Sequence, residues 1–234
     1  MQKVTVEFFH DVICSFCFPM SYRMRQLAKM MPEVEIVHRS FALVRDDSDF
    51  DRMFGSRKAA KEEIMSHWDH ANKNDDLHRF NIEGMRQTDF LFPSSMKGLI
   101  ACKAAFFTAG DAAYWDVFDG LQNALFVQNR NIEDQEVIDD VVRETGIDFE
   151  QWKQHYLNPA TKDAVESDFY LVSQYNISSV PTLIINRKHR VNGAQPLPKI
   201  INAIYKASEE VEEEEKDNTG LGVCKFDGDK FVCD

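Results

Sequence analysis

The chain has 234 residues, 44% of them apolar and 28% charged, and a formal net charge of −12. This composition is usual for a globular protein, and no uncharged apolar run approaches the roughly 18 residues that a membrane span requires. The acidic balance argues against non-specific nucleic-acid binding, which depends on Lys and Arg neutralising phosphates. The N-terminus has neither a basic segment nor a long apolar one, so we expect a cytoplasmic chain without a secretory signal.

The first part of the chain predicts a strand, a helix and a second strand. Val4, Val6 and Phe8 alternate with polar residues, which is typical of a half-buried strand. An apolar stripe then predicts a helix over 15–31, and residues 33–43 read as the second strand. Two strands joined in this way are expected to be parallel, with a right-handed crossover.

A long helical block follows, and the two-residue period returns only near residue 182. Asn158 is a predicted N-cap, and Pro159 suits a first helical position. We predict helices over 56–74, 95–109, 112–127, 133–145 and 160–175, strands over 182–186 and 189–193, and a closing helix over 197–208.

This order predicts an α/β fold in which a helical domain is inserted between the second and third strands. The expected divisions are 1–47 and 176–208 for the two parts of the α/β domain, 48–175 for the helical insertion, and 209–234 for an acidic linker and a cysteine-containing tail. The acidic run from Glu209 to Asp217 reads as a solvated helix end or a linker.

Two cysteines lie where the first strand gives way to the first helix, in Cys14-Ser15-Phe16-Cys17. The free N–H groups and the macrodipole of a helix N-terminus stabilise an anion, and the thiolate is the reactive form of cysteine. We therefore expect Cys14 to be the nucleophile. Cys17, one turn into the helix, would resolve the mixed disulfide. The alternative is a pair of unreactive core cysteines.

Ser179-Val180-Pro181-Thr182 directly precedes the third predicted strand. Because proline has no N–H for a strand ladder, the strand must begin at Pro181. In a redox fold we expect the Val180–Pro181 bond to be cis and to lie against the cysteine pair. The adjacent backbone would then offer an edge to an extended substrate.

Over roughly residues 3–208 the chain resembles the DsbA-like thioredoxin superfamily, in its cytosolic FrnE-like branch. The resemblance rests on residues 11–18 around the cysteines, on residues 179–182, and on Val191-Asn192-Gly193-Ala194-Gln195-Pro196. It implies a thioredoxin-like fold and a thiol–disulfide oxidoreductase acting on thiol or disulfide proteins, with glutathione as a further candidate partner. Relatives commonly carry Pro-Trp between the cysteines, whereas this chain has Ser15-Phe16, so its redox strength and direction are open.

Two other functions agree with parts of this sequence pattern. Kappa-class glutathione transferases and 2-hydroxychromene-2-carboxylate isomerases have a similar layout, but they carry serine where this chain has Cys14. A non-enzymatic zinc module could instead use Cys14, Cys17, Cys224 and Cys233, although the spacing of the last pair is unusual. No metal site is predicted. No nucleotide-binding motif is present, and two cysteines carry electrons themselves, so no cofactor is expected.

Several further residues have weaker patterns. His10 lies close to Cys14 and could assist proton transfer or simply end a strand, and Asp11 could order the loop before the helix. His67 and His70 read as a solvated helix face. Cys102 lies in an apolar helix and is expected to be buried and inert.

The tail, Val223-Cys-Lys-Phe-Asp-Gly-Asp-Lys-Phe-Val-Cys233, is almost a palindrome around a glycine and predicts a β-hairpin. A turn at Gly228-Asp229 pairs Phe226 with Phe231 and Cys224 with Cys233. In that register the cysteines form a non-hydrogen-bonded pair, whose side chains approach most closely. Cys224 and Cys233 are therefore a candidate disulfide and a candidate second redox pair.

Overall fold

A four-stranded mixed sheet forms the centre of the molecule. The computed structural model describes residues 4–218, 224–226 and 231–233, with side chains for residues 4–210. The sheet has the order β2-β1-β3-β4. The strands are β1 (Thr5–His10), β2 (Glu35–Ser40), β3 (Thr182–Ile185) and β4 (His189–Asn192).

The two strand pairs whose directions the sequence predicts, β1 with β2 and β3 with β4, have those directions. β1 is parallel to β2, with Phe8 opposite His38, and antiparallel to β3, with Phe8 opposite Leu183. β3 and β4 form the predicted antiparallel pair. Since β1 has neighbours on both sides, its residues from Val6 onward are fully covered, and its carboxyl end places the cysteine loop (residues 11–16) at the end of the sheet.

Nine helices lie among the described residues, and most match the predicted ranges. They are α1 (Cys17–Met30), α2 (Asp47–Phe54), α3 (Arg57–Asn74), α4 (Ile82–Arg86), α5 (Met96–Phe126), α6 (Gln135–Glu144), α7 (Phe149–Leu157), α8 (Pro159–Gln174) and α9 (Leu197–Asn218). The predicted break near residue 110 is present inside α5, where Gly110 has a φ of 79°. Asn158 caps α8 through Ala160, as predicted.

Three short helices and one helix end differ from the predictions. No helix was predicted at α2, α4 or α7. The closing helix α9 continues to Asn218 rather than ending at 208, so the acidic run has a helical backbone, in agreement with its interpretation as a helix end. Glutamate and lysine are good helix formers, which explains the continuation.

The helical block is joined to the sheet mainly through β2. α5 and α8 both pack against this strand, while α9 packs beside β4 and α1. The insertion between β2 and β3 is confirmed, but the exact domain divisions stay a prediction. No helix in the described part of the chain is long and apolar enough to cross a membrane.

The last two strands, β5 (Cys224–Phe226) and β6 (Phe231–Cys233), form an antiparallel pair. Phe226 lies opposite Phe231 and Cys224 lies opposite Cys233, so the predicted register is confirmed. The turn over 227–230 and the bond between the two cysteine side chains lie outside the described residues.

Candidate active site

The cysteine loop places the two sulfur-bearing residues at the start of α1. Phe16 is the residue before the helix, which begins at Cys17, two residues later than predicted. The Cys17 N–H donates to the Cys14 Sγ at 3.2 Å and lies 3.0 Å from the Cys14 carbonyl oxygen. This N–H at the helix start is therefore shared between the carbonyl oxygen and the sulfur of Cys14, and a donor directed at the sulfur stabilises negative charge there.

The two cysteines differ in their surroundings. Cys14 is 4% exposed and opens onto a cavity, whereas Cys17 is fully buried. Burial, together with the neighbouring Cys14, raises the pKa of the Cys17 thiol well above its ordinary value. Cys17 is thus held as a thiol at neutral pH, while Cys14 lines the cavity.

The loop before β3 meets Cys14 from the other side. The Val180–Pro181 bond is cis, as predicted, and the Cys14 thiol donates to the Val180 carbonyl oxygen at 3.6 Å. The Pro181 carbonyl in turn accepts from the Gly193 N–H at 2.8 Å. Residues 166 positions apart in the sequence are therefore brought together at one point of the surface.

A cavity of about 450 Å³ opens beside Cys14. Its walls come from the cysteine loop, the segments that follow β2 and precede α5, the helices α2 and α3, and Val180. Beyond the cysteine loop and Val180, the lining side chains are Leu43, Val44, Met53, Phe54, Glu63, Ile64, His67 and Phe92. Val180, which was expected to lie beside the cysteine pair, lines the cavity together with Phe16. The contribution of α2 and α3 was not predicted from the sequence. His67 was predicted to lie on a solvated face, and it is exposed but also lines this cavity.

Asp11 has a larger structural role than the sequence suggested. Its fully buried carboxylate accepts from the Leu43 N–H and the Ser95 hydroxyl, each at 2.6 Å, and from the Ile13 N–H at 3.2 Å. The Asp11 carboxylate therefore joins three segments around the cavity: the cysteine loop, the segment after β2 and the segment before α5. Gln122 adds a further link, since its side-chain amide lies 3.4 Å from the carbonyl oxygens of Asp11 and Cys14.

His10 is buried on the sheet side of the site. Its ring shares a 3.0 Å hydrogen bond with His38 and packs against Phe118, with ring centroids 4.0 Å apart. Burial lowers the pKa of His10 well below its ordinary value, and His38 and Lys103 lower it further. The described contacts of His10 do not include Cys14, so its assistance in proton transfer stays a prediction.

Cys102 is fully buried, as predicted, and burial raises its pKa well above the ordinary value. Among the side chains of residues 4–210, no three His, Cys, Asp or Glu residues are grouped so as to hold a metal ion.

The buried Asp11 predicts a measurable pH dependence of stability. Desolvation raises its pKa from 3.8 to about 6, against the opposing hydrogen bonds from Ser95, Leu43 and Ile13. A pKa that is higher in the folded state gives a stabilising contribution that is complete below pH 3.8 and is lost as the pH rises through 6. We expect the free energy of unfolding of the wild type, relative to Asp11→Asn, to fall by about 3 kcal/mol between pH 3.5 and pH 7. Urea titrations across this range measure the difference, and a difference that does not change with pH would contradict the assignment.

A cysteine pair at a helix start beside a cis-proline loop, on a sheet with inserted helices, defines a thioredoxin-like protein. The family model for the DSBA-like thioredoxin domain matches residues 5–205, and the chain belongs to this family. No curated protein sequence matches the chain significantly.

Three solved structures illustrate the similarity of fold. A protein described as a probable DsbA oxidoreductase from Streptomyces coelicolor is 21% identical, with a TM-score of 0.69 and 98% of each chain covered. The cytosolic disulfide reductase DsbM from Pseudomonas aeruginosa is 15% identical, with a TM-score of 0.65, 91% of this chain covered and 98% of DsbM. A 2-hydroxychromene-2-carboxylate isomerase is 14% identical, with a TM-score of 0.64, and the shares covered are 89% and 98%. The expected DsbA-like, thioredoxin-like fold is therefore confirmed.

Proposed function

We propose that the protein is a FrnE-like thiol–disulfide oxidoreductase whose redox pair is Cys14 and Cys17. The observation that carries the proposal is the Cys17 N–H, which lies 3.2 Å from the Cys14 sulfur at the start of α1. This arrangement stabilises the attacking thiolate, while the buried Cys17 remains protonated until it is needed.

The exchange proceeds in two steps that balance. The Cys14 thiolate attacks one sulfur of a substrate disulfide, and the first substrate thiolate leaves as a mixed disulfide forms. Cys17 then loses its proton and attacks the Cys14 sulfur, which releases the second substrate thiolate. The substrate gains two electrons and two protons, and the enzyme ends with a Cys14–Cys17 disulfide. The reverse sequence oxidises a dithiol substrate, and neither direction needs a bound cofactor.

The proposed partners are proteins that carry thiols or disulfides, with glutathione as a second candidate. DsbM, a structural neighbour, has also been solved with glutathione and is described as cytosolic. We place this protein in the cytoplasm as well, and we assign it no nucleic-acid or membrane partner.

Reduction of insulin disulfides, measured beside glutathione conjugation and 2-hydroxychromene-2-carboxylate isomerisation, tests the function. We expect insulin reduction and neither of the other two activities. The isomerase alternative is supported by the structural neighbour with that activity in its description. Glutathione conjugation or isomerisation without insulin reduction would replace our proposal with that alternative.

The zinc-module alternative requires Cys224 and Cys233, whose side chains lie outside the described residues. Metal analysis of the reduced protein distinguishes it, because a structural Zn²⁺ would be retained at one equivalent per chain. We expect no bound metal.

The facing strands β5 and β6 lead to a separate prediction about the tail. We expect Cys224 and Cys233, which are opposite one another, to form a disulfide that stabilises the hairpin by ~2–3 kcal/mol in the chain-entropy model. Alkylation without reductant, followed by peptide mass spectrometry, checks the bond. Free thiols at both positions in aerobically purified protein would contradict it.

Whether this pair also exchanges with Cys14–Cys17 is tested by the variant with Cys224→Ser and Cys233→Ser. If Cys224 and Cys233 are a second redox pair, removing them changes turnover and the redox state of Cys14–Cys17 across glutathione buffers. If neither changes, Cys224 and Cys233 form a structural bond only.

A further inference from the structure

The cavity beside Cys14 has a largely apolar wall. Met53 and Phe54 from α2, Ile64 from α3 and Phe92 from the segment before α5 all line it. Phe92 is 1% exposed and forms a fixed floor, whereas Met53 remains 48% exposed at the rim. A wall of this kind binds an apolar side chain by removing both surfaces from water.

The charged groups of the cavity wall are the second feature that bears on its ligand. Glu63 and His67 are one helical turn apart on α3 and both line the cavity. Its lining, as far as the described residues show, contains neither lysine nor arginine. The cations nearest in sequence to the lining residues have other partners. Arg45, next to Val44, is paired with Glu166, and Arg52, next to Met53, is paired with Asp49. Lys58 and Lys61 line a different cavity, and Arg57 is paired with Asp47 and Glu133.

Such a wall is poorly matched to glutathione. Each glutathione unit carries two carboxylates and one ammonium group, so its disulfide brings four carboxylates to the site. Carboxylates are recognised by Arg, Lys or backbone N–H groups, whereas Glu63 would repel them. An extended peptide with an apolar and a basic side chain beside its cysteine meets a complementary group for each. The apolar side chain contacts the apolar wall, and the basic side chain lies near Glu63.

We propose that this cavity selects polypeptide disulfides with apolar and basic residues next to the reacting cysteine, and that Glu63 disfavours glutathione. This inference rests on the proposed function and names its substrate class. The apolar residue occupies the space between Met53, Phe54 and Phe92, and the basic residue lies near Glu63. Exchange itself follows the two balanced steps given above.

Three disulfides of matched length test the proposal against the reduced full chain. They are the dimer of a short peptide with phenylalanine and lysine flanking its cysteine, the same dimer with two glutamates instead, and glutathione disulfide. Second-order rates are followed at low ionic strength by mass spectrometry of the Cys14–Cys17 bond. We expect the first peptide to react at least ten times faster than the other two.

Charge variants on α3 supply the matched control. Glu63→Lys should raise the rate with glutathione disulfide about three- to tenfold, since it replaces repulsion by attraction at short range. Glu62→Lys makes the same change in net charge one position away, where the side chain lines the other cavity, and should change the rate less than twofold. Met53→Ser at the exposed rim should slow the phenylalanine peptide about threefold to fivefold relative to glutathione disulfide.

Two outcomes are decisive against the proposal. Equal rates for the three disulfides, or equal effects of Glu63→Lys and Glu62→Lys, would overturn the assigned substrate class while leaving the oxidoreductase function intact. An absence of exchange with all three and with a small aromatic disulfide reagent would overturn the proposed function and this inference together.

Discussion

Replacing Cys14 by serine is expected to abolish disulfide exchange, whereas Cys17→Ser is expected to trap mixed disulfides with substrate. The reason is the asymmetry of the pair. The Cys14 sulfur accepts the Cys17 N–H and Cys14 lines the cavity, whereas Cys17 is fully buried and is not among the lining residues. Without Cys17, the bond between Cys14 and its substrate has no internal thiol to break it. Insulin reduction and non-reducing mass spectrometry measure the two effects.

Alkylation gives an independent measurement of the same asymmetry. At mildly acidic pH, iodoacetamide should label Cys14 of the reduced protein first, because only a thiolate reacts and burial raises the pKa of Cys17. Cys102→Ala is the matched control, since that thiol is buried in α5 away from the cavity lining, and it should leave turnover unchanged. Equal or faster labelling of Cys17 would refute the assignment of the nucleophile.

The sequence predicted the position of the cysteine pair better than the shape of its surroundings. Cys14, Cys17 and Pro181 are adjacent to strand and helix boundaries that hydrophobic periodicity detects, so their placement follows from local pattern. The cis bond at Val180–Pro181 was expected from the redox fold that the order of strands indicates, because an X–Pro bond taken alone is usually trans.

The walls of the cavity could not be predicted in the same way. α2 buries only Phe50, so its apolar period is too short to detect, although Asp46 caps it and Gly55 ends it with a φ of 75°. The contacts of Asp11 with Leu43 and Ser95 join segments 32 and 84 residues away. Contacts at such distances depend on how the helical block packs, which a single sequence does not specify.

The role of Gly98 in packing α5 against the cysteine loop is visible only in the structure. A Cβ added there would lie 2.7 Å from the Val12 Cγ2 atom, so α5 approaches the cysteine loop as closely as a glycine allows. This close approach explains how Ser95 at the start of the same helix reaches Asp11.

The second large effect is expected at Asp168, which fastens the helical block to the sheet. Its buried carboxylate accepts from the Lys103 ammonium at 2.6 Å, from the Ser40 N–H at 2.9 Å and from Arg39 at 3.4 Å. α8, α5 and β2 therefore meet at one carboxylate that is 3% exposed. Because Ser40 ends β2, the same contact fixes the start of the segment that carries Leu43 into the cavity wall.

We expect Asp168→Ala to lower the free energy of unfolding by about 3–5 kcal/mol, because it leaves the Lys103 ammonium buried without its partner. Urea unfolding at an unchanged m-value measures the loss. Asp163→Ala, on the exposed face of the same helix, is the control and should stay within about 0.5 kcal/mol of the wild type. Adding Lys103→Met to Asp168→Ala should recover most of the loss, since the unpaired charge is then gone. If Asp168→Ala were as mild as its control, the buried ion pair would not be what joins α8 to the sheet.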